Sequence, residues 1–219
     1  IGLELARDTT IPDDIPTIGT CLAEAFSRVN LVFVSGGLGP TVDDITRDAL
    51  ALALNLNIVL HQPTVENITK RYAARGRTMT PAAKRQALVL ENAVILPNSV
   101  GTAPGQRIGR DGKFLFVLPG PPSEFNAILN EEIVPWLNKK YEDARPDIIR
   151  SLWTTGIYES DIVTLLEKEH FDPANVDLGF YPANGKVEIR ITATPNHEEK
   201  ADEAKRTLLT LLSSHIDDQ

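Results

Sequence analysis

The sequence holds one cysteine, Cys21, so no internal disulfide can form and no thiolate cage for a metal can be assembled. It has no run of about 18 apolar residues, and its opening stretch (IGLELARDTT) lacks the basic-then-apolar order of a signal peptide. The expectation is a cytoplasmic protein with no membrane partner. Its histidines, His61, His170, His197 and His215, are scattered without H-x-x-x-H or H-E-x-x-H spacing, which disfavours a zinc site built from imidazoles. No G-x-S-x-G elbow surrounds a serine, and Cys21 falls on the apolar side of an expected helix, so neither is favoured as a nucleophile.

Positive charge is scarce as well. Lys and Arg number 22 against 30 Asp and Glu, for a net charge of −8 over 219 residues. The deficit is uneven: residues 1–146 are near neutral at −1, whereas residues 147–219 carry −7. An acidic second segment would repel a phosphate backbone, so no nucleic-acid partner is expected. One interval breaks the trend. From Asn67 to Leu90 the chain carries Lys70, Arg71, Arg75, Arg77, Lys84 and Arg85 and no acid, which makes it either an anion-binding patch or a solvated basic helix face.

What is present is an ordinary globular composition, 42% hydrophobic and 24% charged, with length for one large domain or a large one and a smaller companion. Leu31–Ser35 (LVFVS) reads as a buried strand of a parallel sheet, running straight into the glycine turn GGLGPT. After it, Ile45, Ala49 and Leu52 recur at helical spacing, and Thr41 with Asp44 resembles a capping box, placing the helix start near Asp43. Helices are expected over 17–28, 64–75 and 81–90, and a short strand over 93–96. A second apolar strand, Phe114–Leu118, again meets a Gly/Pro turn and then a helix capped by Ser123. This alternation predicts an α/β fold with an open, mostly parallel sheet in three layers, whose ligands bind beyond the carboxyl ends of the strands. Beyond the linker Tyr141–Pro146, strand 148–157, helix 159–169, the hairpin 176–181/187–193 around Asn184-Gly185 and helix 197–214 predict a small β-α-β-β-α domain over 147–219.

Chemistry concentrates in Ser35–Thr46 (SGGLGPTVDDIT). Its glycines allow close backbone approach, and the following helix offers free N–H groups to an anion. Asp43 and Asp44 stand at the same helix start. They either favour the helix dipole or share a divalent cation with an anionic ligand, because carboxylates alone would repel it. The loop is neither a P-loop nor a G-x-G-x-x-G fingerprint, which removes the main support for triphosphate hydrolysis or dinucleotide redox chemistry. Asn98–Gly105 (NSVGTAPG) is a second glycine element, either a structural turn or part of the site. Leu118–Glu124 (LPGPPSE) is a third, and its Glu124 either supports its helix dipole or reaches a metal or water shared with the aspartates.

These segments, with Arg85–Leu88, resemble in order the successive motifs of the molybdopterin-binding-fold domain of the CinA family over nearly all of residues 1–140. Gly156–Ser160 (GIYES), Gly179–Pro182 and Gly185–Ile191 are similar to the KH-like second domain of the same family, although no G-x-x-G loop is present and the charge does not suit RNA. The resemblance implies an ADP-ribose pyrophosphatase that uses a divalent metal, Mg²⁺ or Mn²⁺, to form AMP and ribose 5-phosphate. It implies catalytic roles for Asp43, Asp44 and Glu124, with Asp43 and Asp44 as metal ligands. Substrate contacts would come from Ser35, Gly36, Gly37, Gly39, Pro40, Thr41, Thr102, Ala103, Gly105, Pro119, Gly120, Pro121 and Ser123. Family members normally begin with an additional strand before a segment like Ile1–Leu5 and end with a deamidase domain. On that comparison domain 1–146 is expected to lack its first strand, and no deamidase activity is transferred. A pterin-binding or adenylyltransferase protein of molybdenum-cofactor synthesis, or a non-catalytic interaction protein, uses the same loop. Self-association, most simply a dimer, is expected.

Overall fold

Asp14 accepts a 2.9 Å hydrogen bond from the Thr17 amide and so caps helix α1, Ile15–Arg28, whose Ile18 and Leu22 are buried. The computed structural model describes residues 2–173 and 175–217, which leaves Ile1 of the opening segment outside. The chain divides into two units, one comprising Leu5–Glu142 and the other running from Asp143 and including the first residues through Glu4. Among the described residues no helix is long and apolar enough to cross a membrane.

In the first unit, β1 (Leu31–Ser35) leads through the glycine loop to α2 (Thr46–Leu54). Then follow β2 (Ile58–Leu60), α3 (Gln62–Ala73), α4 (Pro81–Lys84), a 3-10 turn (Arg85–Ala87), β3 (Leu88–Leu90), β4 (Val94–Leu96), β5 (Gly105–Arg110) and β6 (Lys113–Leu118). Helix α5 (Pro122–Ile128) continues through a π-helical turn (Leu129–Ile133) into α6 (Val134–Lys140). The main sheet has the order β1-β6-β5-β4. Only β1 and β6 run parallel, with Leu31 beside Phe114 and Ser35 beside Leu118. The other two pairs are antiparallel, so the sheet is mixed rather than mostly parallel. The cause is local: Asp111 and Gly112 take φ of 52° and 77°, the double left-handed turn that folds β5 back onto β6 as a hairpin.

Three further expectations change. β1 is an edge strand, and its Phe33 remains 41% exposed while stacking on Phe116 with ring centroids 4.7 Å apart. The helix expected over 81–90 ends early, because Leu88–Leu90 pairs with β2 as a small second sheet. Ser123 is not the cap of its helix. Pro122 occupies the first turn, where a missing N–H costs nothing, and Pro121 stands at the cap position without a side-chain bond. One core packs α1 and α2 on the sheet around Leu50, Leu115 and Val117; another packs Ile128, Ile133 and Leu137 on Phe116 and Leu118. Each fully buried Leu, Ile or Phe contributes about 1.5–3 kcal/mol, and these two cores hold the loop ends of β1 and β6 in place.

The second unit contains β7 (Ile148–Thr155), α7 (Glu159–Lys168), β8 (Asp177–Ala183), β9 (Lys186–Ala193), a 3-10 turn (Pro195–His197) and α8 (Glu198–Leu211). Its sheet order is β7-β9-β8, antiparallel throughout, with Asn184 and Gly185 forming the expected left-handed hairpin turn. Ile162, Ile189, Ile191 and Leu208 centre its core, where β9 alternates buried and half-buried residues as a one-sided strand requires.

Candidate functional site

Parallel pairing of β1 with β6 delivers two glycine loops to one place. The Gly36 amide donates to the Leu118 carbonyl at 3.0 Å, and the Ser35 hydroxyl donates to the Pro119 carbonyl at 3.1 Å. A side chain on Gly120 would lie 3.4 Å from the Gly36 Cα, so the two loops are in direct backbone contact. Gly36 and Gly37 both take positive φ, 100° and 67°. A Cβ on Gly37 would also stand 2.0 Å from the Thr46 hydroxyl at the head of α2, so only glycine lets the loop seat there.

Helix α2 starts at Thr46, three residues later than the expected Asp43, after a turn over Thr41–Asp44. The Asp44 carboxylate closes that turn: one oxygen, Oδ2, accepts from the Thr41 amide at 2.8 Å and the Thr41 hydroxyl at 2.6 Å. Burial acts to raise the Asp44 carboxyl, but the Thr41 hydroxyl and amide, the Gly39 backbone and nearby Arg47 outweigh it and hold the group below the usual aspartate range. A depressed folded-state value contributes stability that is present above the unfolded aspartate range and lost as pH falls through the folded value. The urea-midpoint gap between the native chain and Asp44→Asn is therefore expected to be widest near about pH 6–7 and to close below about pH 4. A gap that persists unchanged to about pH 3 would contradict this reading of the turn.

Asp43, by contrast, is exposed and makes no side-chain hydrogen bond among the described residues. Glu124, half-buried in the first turn of α5, faces a third loop. Its Oε2 accepts from the Asn98 side-chain amide at 2.6 Å, and a Cβ on Gly101 would fall 1.8 Å from the same oxygen. Asn98 is buried: its amide also donates to the Ala103 carbonyl at 2.8 Å, and its Oδ1 accepts from the Val100 and Gly101 amides at 3.1 and 2.6 Å. Ala103 and Leu38 belong to one buried cluster, which ties this loop to the first.

The three motif loops thus meet, but their acids are not gathered into one cluster. No group of three or more His, Cys, Asp or Glu side chains able to hold a metal ion exists among the described residues, so Glu124 does not complete a cage with Asp43 and Asp44. A Mg²⁺-type ion held by one or two carboxylates and the ligand's own phosphates fits this donor set better than an all-protein cage does.

Two cations of the basic stretch are engaged within the protein. The Arg71 guanidinium donates to the carbonyls of Asn98, Ser99 and Val100 at 3.2, 2.7 and 2.9 Å, and Arg77 lies over the Tyr72 ring. One residue not singled out in the sequence is Arg47, which is only 1% exposed. Its Nη1 donates to the Leu88 carbonyl at 3.4 Å, while Nε and Nη2 have no partner among the described residues. Burial lowers its pKa, with Asp48 and Asp44 opposing that shift and Arg85 adding to it. In the second unit, the Gly156–Ser160 segment and the Asn184-Gly185 turn line one groove with exposed Tyr158.

Residues 1–139 match the family described as "Probable molybdopterin binding domain", and residues 149–217 match "Damage-inducible protein CinA KH domain". The chain belongs to the CinA family. A "Putative competence-damage inducible protein" of Clostridium botulinum is 36% identical over 202 residues, covering 92% of this chain and 49% of the relative. A "CinA-like protein" of Solibacter usitatus is 35% identical over 207 residues, covering 92% of this chain and 48% of the relative. The chain thus spans about half the length of the curated relatives it matches. Among solved structures, the protein CinA with unknown function from Thermoplasma acidophilum is 33% identical. It aligns with a TM-score of 0.51 over 56% of this chain and 72% of that one.

Proposed function

We propose that this CinA-family chain hydrolyses ADP-ribose to AMP and ribose 5-phosphate at the three converging loops. The observation that supports this reading is the contact of the Gly36–Thr41 loop with the Pro119–Pro121 loop beyond the carboxyl ends of β1 and β6, beside a third loop that holds Glu124. Loop amides and the uncapped head of α2 offer N–H donors to a diphosphate, and the buried Arg47 behind them adds positive potential. Asp43 and Asp44 would hold a divalent ion, which when bound neutralises the diphosphate and acidifies water. Glu124 orients the water and accepts its proton. The water oxygen bonds to one phosphorus as the bridging P–O bond breaks, and the displaced phosphate ester departs with that bond's electrons.

The matched domain's description names molybdopterin binding, so a pterin is the second reading. Titration of ¹⁵N-labelled protein separates the two. ADP-ribose with Mg²⁺ is expected to move the amide signals of Gly36, Gly37, Gly39, Thr102 and Gly120. Movement by molybdopterin alone would overturn the hydrolase reading. We further propose that the chain forms a dimer, the commonest closed assembly of soluble proteins that self-associate. Light scattering should give twice the monomer mass; a monomer across a wide concentration range would contradict it.

A further inference from the structure

Helix α3 buries Val65 and Ile68, and Arg71, one turn beyond Ile68, stands on the neighbouring stripe. From there its guanidinium spans three successive carbonyls, those of Asn98, Ser99 and Val100. This fork of N–H donors matches a curled backbone as it would a carboxylate, and each bond is charge-assisted. The same few residues contain Asn98, whose side chain is fully engaged: two donors to Ala103 and Glu124, one acceptor taking two backbone amides. Ser99 adds a second tie, donating to Glu131 in the π-helical turn at 2.8 Å. A loop of eight residues rich in Gly and Pro would otherwise carry a large conformational freedom. Arg71 thereby fixes the backbone from which the Glu124 partner projects.

We propose that Arg71 is a positioning residue that acts on Glu124 through Asn98, a role distinct from contact with ligand phosphate. The proposal rests on the reading of Glu124 as the carboxylate that handles the attacking water. Arg71 sets no binding energy of its own, so its loss is expected in kcat rather than in KM.

Two arms test this on the whole chain. In protein labelled with ¹⁵N-asparagine, the Asn98 side-chain amide should be slow to exchange in the native chain. It should lose protection in Arg71→Ala and hold an intermediate value in Arg71→Lys, whose ammonium keeps the charge but not the fork. In ADP-ribose turnover, Arg71→Ala should lower kcat by about a hundredfold with KM nearly unchanged. Added to Glu124→Gln, it should lower kcat no further, because the two act as a unit. An Asn98 amide as protected in Arg71→Ala as in the native chain would overturn the proposal, as would losses that multiply in the double variant, the mark of a merely structural arginine. Absence of wild-type turnover would reject the hydrolase reading, and the amide arm would still decide whether Arg71 orders Asn98.

Discussion

Asp44→Asn and Asp43→Asn are each expected to lower ADP-ribose turnover by about a hundredfold or more, the consequence of losing a Lewis-acid contribution of several kcal/mol. The two should differ in how they fail. Asp44 spends Oδ2 on the Thr41 amide and hydroxyl, so a cation would have to be shared with the turn it closes. An Asn there keeps one acceptor for the turn, so the fold should survive with a loss of about 1 kcal/mol. Asp43 is exposed and closes no turn, so its Asn variant should be as stable as the native chain while requiring more metal for half-maximal rate. Turnover measured against Mg²⁺ and Mn²⁺ concentration, beside urea denaturation, checks both. Native turnover and metal dependence in both variants would remove the acidic pair from the mechanism.

Gly101→Ala should be nearly as damaging, although it adds a single methyl group. Its Cβ would lie 1.8 Å from Glu124 Oε2 and 2.7 Å from the Asn98 side-chain nitrogen, closer than nonbonded atoms can approach. Either the carboxylate swings away from Asn98 or the loop shifts. Overpacking of this kind costs about 1–3 kcal/mol, and displacing a positioned proton acceptor costs about 10²–10⁴-fold in rate. Shortening the acid relieves the clash, so Gly101→Ala with Glu124→Asp is expected to recover stability before activity. Thermal denaturation and kcat on the single and double variants test this. A fully active Gly101→Ala would mean that Glu124 does not need its place beside Asn98.

Periodicity and punctuation made much of the architecture legible. Residues 31–35 stand as an apolar run before glycines, and β1 occupies that range; Asn184-Gly185 marks its hairpin unaided. Neighbour order was not legible. Four apolar residues and a serine look alike in a central strand and at an edge, and β1 pairs with β6 alone, with Phe33 left 41% exposed. Leu88–Leu90 read as helix because a short apolar run after Pro81 fits either period, and its partner β2 decides the matter. Asp111-Gly112 carried the turn signal that makes the sheet mixed, but it sits between strands of unlike polarity, QRIGR and KFLFVL, which masked it.

At the site, glycine spacing pointed to all three loops, because close backbone approach leaves few other residue types possible. Side-chain partnerships across long separations left no such trace. Asn98 and Glu124 are 26 residues apart, and Arg71 meets its three carbonyls 27 to 29 residues on. Arg47 lies among acids in DDITRDAL and reads as surface, yet its stripe of α2 packs toward β3.

If the three loops form one metal-dependent centre that splits a diphosphate, phosphorus NMR of the purified chain with ADP-ribose and Mg²⁺ or Mn²⁺ will show it. The two diphosphate resonances should decay together while AMP and ribose 5-phosphate appear in equal amounts, and a chelator should stop the reaction. Unchanged diphosphate signals with every divalent ion tried, in a folded sample, would contradict such a centre.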